Sequence, residues 1–425
     1  MRRTIVFCLV APLLVITSAV FSAEPSKPPA KPINSFGIKP EWVTSPAMLD
    51  AMNRLGEAGM VEGRRGSLTF FRWSNAEPPK LAHLGLWGAK VGNDELSLVS
   101  QLPDLEHVSL YETSANDDGL APLARLPKLR SLSITPVIRY EKSGFGAPQW
   151  SYPFLKSPAD RLRITGKGLQ AFASVSTIEK ADLLDVQLKP NDLAVLATWP
   201  KLSALSLPNP IDSATVQHLQ ACRRLNNLTL GHREVTATEL ESLAEWKSLR
   251  RLTVIHAELS NDALRAFAKL ETLEELHLED CGLTDERLQH FSGPAKLKSL
   301  ALERNEIDGP GLKHLVTLNL RSLGLEFNNL RDDTLAHLIQ LKSLDTLALS
   351  YCRGVTDRGL RSGTLQSMTH LKQLGLRGTP LVTDASLDDL AKLKHLDHLT
   401  IRETKITADG VERLKAAMPK TIVFK

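Results

Sequence analysis

The apolar positions of this chain follow neither the period of a long helix nor that of a simple strand; they recur as a template. From Leu273 the chain reads LEELHLEDCGLTDERL, with leucines at Leu273, Leu276 and Leu278, then Cys281, Leu283, the pair Thr284-Asp285, and Leu288. The template returns at Leu297 as LKSLALERNEIDGPGL, at Leu344 as LDTLALSYCRGVTDRGL and at Leu371 as LKQLGLRGTPLVTDASL. Alternation at Leu276 and Leu278 is the period of a short strand. A Thr-Asp or Asn-Asp pair a few residues later is a helix start, marked at Asn93-Asp94, Asn116-Asp117, Asn191-Asp192, Asn261-Asp262, Thr284-Asp285, Thr356-Asp357 and Thr383-Asp384. Units open at Leu81, Leu105, Leu129, Ile178, Leu202, Leu225, Leu249, Leu273, Leu297, Leu320, Leu344, Leu371 and Leu396, which makes thirteen. Most spacings are 23–25 residues, room for a strand, a turn and one or two helical turns.

A repeat of this length is the signature of a solenoid, in which each unit buries its apolar face only against its neighbours. The template L-x-x-L-x-L-x-x-(N/C/T)-x-(I/L/V)-T-D-x-x-L resembles the leucine-rich-repeat family in its cysteine-containing, T-D-x-G-L variety. The expected fold is an α/β solenoid, with a curved parallel sheet on the concave face and short helices on the convex face. At ~4.8 Å per strand, thirteen strands make an arc of roughly 60 Å.

Residues outside the template divide the chain further. Residues 1–23 read as an export signal: Arg2-Arg3, the apolar run Thr4–Val20, then Ser22 and Ala23. Retention of that run as a membrane anchor is the alternative, and no other apolar run is long enough to span. Residues 24–40 hold five prolines and three lysines and read as a linker. In 41–80 the positions Met48, Leu49, Met52 and Leu55 share a helical face over Ala47–Gly59, and Ser67–Trp73 alternates like a strand; together they cap the open end of the core. Exported repeat proteins of planctomycete-type bacteria are similar here. The repeat domain then runs over 81–420, and 421–425, with Ile422-Val423-Phe424, supplies the C-terminal cap.

Two spacings depart from the rule. Leu344 to Leu371 is 27 residues, and Leu129 to Ile178 is 49. The excess in the second, residues 136–163, carries Tyr140, Phe145, Trp150, Tyr152 and Phe154 with four prolines. It reads as a packed loop that folds over the N-terminal strands as a lid, or else as a degenerate fourteenth repeat.

Composition narrows the chemistry. With 42% hydrophobic but only 5% aromatic residues, the chain suits a layered aliphatic core better than a globular one. A net charge of +4, two of it from Arg2 and Arg3, gives no electrostatic case for nucleic acid. Cys8 belongs to the signal. Cys281 and Cys352 share a template position with two units between them, too far for a disulfide, so they and Cys222 are expected to be buried thiols. There is no H-E-x-x-H, C-x-x-C, G-x-S-x-G or P-loop. His232, His256, His277 and Asp280 can be drawn as a metal site, but nothing sets ligand geometry. No cofactor, no metal and no enzyme activity is expected.

With the template leucines inward, the third, fifth and seventh positions face the concave sheet. The fifth row is small except for Asp182 and His277. The seventh runs from Trp87 and Tyr111, through Glu279, Glu303 and Glu326, to Arg377 and Arg402. Stacked glutamates repel by on the order of 1 kcal/mol each in water. Either Arg251 and Arg304 neutralise them, or they are simply solvated, or they await a basic partner. The candidate binding set is therefore Trp87, Tyr111, Tyr140, Trp150, Tyr152, Glu279, Glu303, Glu326, Arg377 and Arg402.

The expected function is an exported, monomeric, non-enzymatic scaffold that binds a protein ligand through the concave face, in the periplasm, at the cell envelope or secreted. Recognition of a glycan or cell-wall polymer through the aromatics is the alternative. A third comes from resemblance: cysteine-containing repeats are similar to those of F-box substrate adaptors for ubiquitin ligases, although the signal and the lack of an evident F-box count against it.

Overall fold

The computed structural model describes residues 45–59, 69–73, 80–87, 91–111, 113–135, 139–142, 148–151, 164–184, 186–208, 211–231 and 234–425. The expected signal and linker lie outside them. Strands are added in chain order to one open sheet of 15, from Thr69–Trp73 to Ile422–Phe424. The first pair, Thr69–Trp73 against Leu81–Trp87, is antiparallel, and every later pair is parallel.

Register explains why the template holds. Leu252, Leu276, Leu300, Leu323, Leu347, Leu374 and Leu399 sit opposite one another on successive strands, and none is more than 2% exposed. Each buried leucine contributes about 1.5–3 kcal/mol, set against the entropy of ordering the chain. At the N-terminal end, Met48, Ala51, Met52 and Leu55 of helix Pro46–Gly59 join the same core. The return segments are short. Some are α-helical, as in Ala237–Ala244 and Ala408–Ala417, and others are tighter 3-10 turns, as in Pro190–Thr198 and Asp332–Gln340. The 27-residue unit accommodates its extra length in two small helices, Asp357–Arg361 and Thr364–Ser367.

The Thr-Asp pair does more than start a helix. Thr356 Oγ1 accepts the N–H of Arg358 at 3.1 Å and donates its hydroxyl to Asp332 of the preceding repeat at 2.6 Å. Asp332 also accepts the N–H of Thr356 at 2.8 Å. The same double contact joins Asp117 to Thr165, Asp357 to Thr383 and Asp384 to Thr407. The ladder also accounts for the glycine of T-D-x-G-L. A Cβ on Gly359 would lie 2.3 Å from Asp332 Oδ1.

Beneath the turns after the strands runs a second polar column, inside the core. Asn305 Oδ1 accepts the N–H groups of Cys281 and Leu283 at 3.0 and 3.1 Å, and its amide donates to the carbonyls of Leu278 and Leu302 at 2.8 and 2.9 Å. Cys352 donates its thiol to the carbonyl of Leu325 at 3.1 Å. Cysteine thus stands where asparagine stands elsewhere because both present a donor to that carbonyl. Cys222, Cys281 and Cys352 are free and buried.

The long spacing adds no strand to the large sheet among the described residues. Ser131–Thr135 pairs directly with Lys180–Asp182. Within the intervening stretch, Arg139–Lys142 and Pro148–Ser151 form a separate antiparallel hairpin. That pairing is not the parallel strand a fourteenth repeat would contribute.

Candidate binding face

The sheet face opposite the core is floored by the fifth template positions. In register these run Ser109, Ser133, Asp182, Ser206 and Thr229, then Thr253, His277, Ala301, Gly324, Ala348, Gly375 and Thr400. Asp182 accepts hydrogen bonds from the hydroxyls of Ser133 and Ser206 and from the N–H of Leu184, yet its Oδ1 is shut off from solvent with no partner. Burial pushes its carboxyl up to about 7. Tyr111, half-buried and hydrogen-bonded to Ser109, is raised by burial and by the field of Asp182. His277, at the middle of the floor, is pulled down to about 4 by burial, with Arg251 adding to the effect, so it is neutral at pH 7.

The three glutamates of the seventh row lie side by side, and the structure changes what the sequence implies about them. They are not a solvated strip. Arg304 enters the cluster and its Nε reaches Glu279 at 3.1 Å, with both side chains largely buried. Glu303 is raised well above an ordinary glutamate by burial, with Glu326 and Glu279 adding to the effect. Glu326 is raised to about 7, chiefly by burial and in part by Glu279. Arg251 does not neutralise the cluster; it pairs with Glu275.

Beside the seventh row stands a column of which sequence reasoning singled out only His256 and Asp280. The residue immediately after the seventh template position is in the left-handed conformation: His256, Asp280, Arg304, Phe327, Tyr351, Gly378 and Glu403, with φ between 49° and 66°. Six of the seven are not glycine, a conformation rare for L-residues and costing on the order of 1–3 kcal/mol each. The sheet's hydrogen bonding compensates by continuing through them, as in Arg304 N–H to Glu326 O at 2.9 Å and Phe327 N–H to Ser350 O at 3.0 Å. The turn aims their side chains along the sheet edge into one another. His256 Nδ1 lies 2.5 Å from Asp280 Oδ2. The Arg304 guanidinium lies 4.1 Å from the centre of the Phe327 ring, which stacks on Tyr351 at 4.4 Å. Tyr351 donates its hydroxyl to Glu403 at 2.9 Å, across Gly378, whose Cβ would meet the tyrosine ring at 2.3 Å. Arg377 closes the column through Nε to Glu403 at 3.1 Å.

The predicted residues thus fall into separate places. Glu279, Glu303 and Glu326 come together. Arg377 is taken up by Glu403, while Arg402 is exposed, its carbonyl accepting the N–H of Gly378 and its charge acting on Glu403. Tyr111 belongs with Asp182 at the other end. Trp87 is in backbone register with Tyr111, and its side chain lies outside what is described. Tyr140 and Trp150 are register partners in the hairpin. Tyr152 and His232 lie outside the described residues. Among the described residues, no group of three His, Cys, Asp or Glu side chains is placed to hold a metal, and no helix is long and apolar enough to cross a membrane.

A family model described as Leucine Rich repeat matches residues 269–286 and 294–316. No curated protein gives a significant match. Among solved structures the chain is similar to an internalin from Listeria monocytogenes, with 17% identity over 78% of this chain and 88% of the other, at a TM-score of 0.40. It is also similar to the mouse RP105/MD-1 complex (15% identity, 73% and 49% covered, TM-score 0.42) and to a TLR13–ssRNA13 complex (17%, 78% and 54%, TM-score 0.44). The chain spans about half the length of the matched chains in those two complexes.

Proposed function

The chain is a leucine-rich-repeat protein, and from that premise we propose that it is an exported, non-enzymatic scaffold holding a protein partner across the open face of its sheet. One observation carries the reading: a floor of small side chains is edged by an ordered column in which Arg304, Phe327, Tyr351, Arg377 and Glu403 contact one another in sequence. Arginine and tyrosine dominate the energetics of protein interfaces, and side chains already held in place lose little freedom when a partner docks. An open sheet of this length offers a partner many such positions. Export rests on Arg2–Ala23.

The test is capture from a cell-envelope extract with the whole chain, using wild type beside a Tyr351→Ala, Arg377→Ala variant. Protein recovered by wild type and lost with the variant supports the reading. Recovery of polysaccharide instead would transfer the function to glycan recognition. Export is checked by fractionation and by reading the mature N-terminus; an intact Met1 on cytoplasmic protein overturns it.

A further inference from the structure

One part of the open face holds acidic groups that its own cations neutralise only in part. Glu326 leaves the seventh row and folds back over the floor, so that its Oε2 lies 2.9 Å from where a Cβ on Gly324 would sit. That oxygen is shut off from solvent and has no hydrogen-bond partner. The floor beneath it is Ala301, Gly324 and Ala348, side by side in register, none long enough to reach a carboxylate. Glu303 stands on the adjacent strand, two residues past Ala301 as Glu326 is two past Gly324.

Each neighbouring cation is paired with another carboxylate, and only Arg304 also acts on Glu303 and Glu326, through its charge. Arg251 pairs with Glu275, Arg304 with Glu279, and Arg377 with Glu403. His256 is on Asp280. His277, at the end of this floor, is neutral at pH 7. Among the described residues no ion pair reaches Glu303 or Glu326, so two desolvated carboxyl groups stand at a notch over small side chains, with the Glu326 carboxylate itself covering Gly324. Their charged forms repel each other, and burial leaves that repulsion weakly screened.

We propose that this notch receives a basic side chain, a lysine ammonium or an arginine guanidinium, with Glu303 and Glu326 as its carboxylate ligands. The inference rests on the reading of the open face as the binding face and names the chemistry it selects. A cation between the two carboxylates removes their repulsion and, as the Glu326 carboxylate turns off the floor, supplies its Oε2 with a donor. A guanidinium can bridge both, and charge-assisted bonds of this kind are about twice as strong as neutral ones. Burial raises both carboxyl groups, Glu326 to about 7, so an incoming cation displaces a proton to solvent, on the order of one per site. The charged groups around the notch are Glu279, Asp280, Arg304 and Arg251, and of these only Arg304 is a cation within the glutamate cluster.

The whole chain is titrated calorimetrically with hexa-arginine at pH 7 in two buffers of different ionisation enthalpy. The proposal expects saturable binding with proton release, weakened at least tenfold in Glu303→Gln, Glu326→Gln and unchanged in Glu412→Gln, an exposed site elsewhere. Gly324→Ala, which keeps both carboxyl groups but fills the floor, is expected to weaken binding as well. Equal affinity in the double variant, or binding without proton release, overturns the proposal, and so does saturation by calcium at concentrations where the peptide does not bind. The two readings fail separately. If a partner is captured equally by wild type and by the double variant, the notch is wrong and the scaffold stands. If hexa-arginine binds as expected while no protein is captured, the notch stands and the scaffold reading falls.

Discussion

Asp357 holds Thr383 of the next repeat by both ends of its carboxylate: Oδ1 accepts the backbone N–H at 2.8 Å and Oδ2 the hydroxyl at 2.7 Å. Thr383 in turn accepts the N–H of Ala385 at 3.1 Å and so caps its own helix. One carboxylate therefore fixes the start of the following helix, and the arrangement repeats along the return face. In a solenoid such interface contacts carry stability from unit to unit.

Asp357→Ala leaves a half-buried N–H and a hydroxyl without their acceptor and is expected to cost about 1–3 kcal/mol. Asp357→Asn keeps one acceptor and should cost less. Urea denaturation measures the difference. Hydrogen exchange should show the Thr383 amide losing protection in both variants, and more so in the first.

The three cysteines should be inert while the chain is folded. Burial pushes the thiol of Cys222 up to about 11 and those of Cys281 and Cys352 up to about 12, so almost no thiolate exists at pH 8. Alkylation with iodoacetamide is expected to follow global unfolding for all three. Fast labelling of Cys352 in buffer would show that its repeat opens locally.

Much of this architecture is legible in the sequence because it depends on residues that repeat. Leu276 and its equivalents announce the strands, and Thr356-Asp357 announces a helix start. The ladder itself is not legible, since Asp332 and Thr356 belong to different repeats and only stacking makes them neighbours. The edge column is hidden for another reason. His256, Asp280, Arg304, Phe327, Tyr351 and Glu403 share no chemistry, only a left-handed turn that re-aims each side chain along the sheet. That turn sends Arg304 onto Glu279. Asp182 was visible as a lone charge in a small row, but its burial depends on Ser133 and Ser206 closing around it.

Asp182 makes stability fall with rising pH. Its carboxyl titrates at about 7 when folded against about 3.9 in an unfolded chain. The contribution is fully present below pH 4 and is lost as pH rises through 7. Asp182→Asn should remove that slope, raising stability above pH 8 by up to about 4 kcal/mol while leaving it equal or lower at pH 4. Melting curves of the two proteins from pH 4 to 9 check it; parallel curves would place Asp182 in water.

Glu279 and Glu326 are expected to respond oppositely to the same substitution. Glu279 holds Arg304 at 3.1 Å with both side chains largely buried, so Glu279→Gln weakens a partnered pair. It should destabilise the chain by about 1–3 kcal/mol across the neutral range. Glu326 carries the reverse balance, a buried carboxyl raised to about 7 against about 4.3 unfolded, with one oxygen unpartnered. Its contribution is present below pH 4 and is lost as pH rises through 7, so Glu326→Gln should raise stability at pH 8 by up to about 3 kcal/mol and change little at pH 4. Replacing Glu279, Glu303 and Glu326 together by lysine should destabilise the chain, because it places new cations against Arg304. Denaturation of the single variants at pH 4 and pH 8 separates the two roles. If both lose stability equally at pH 8, Glu326 is held by a partner within the fold, and the notch above Gly324 is structural.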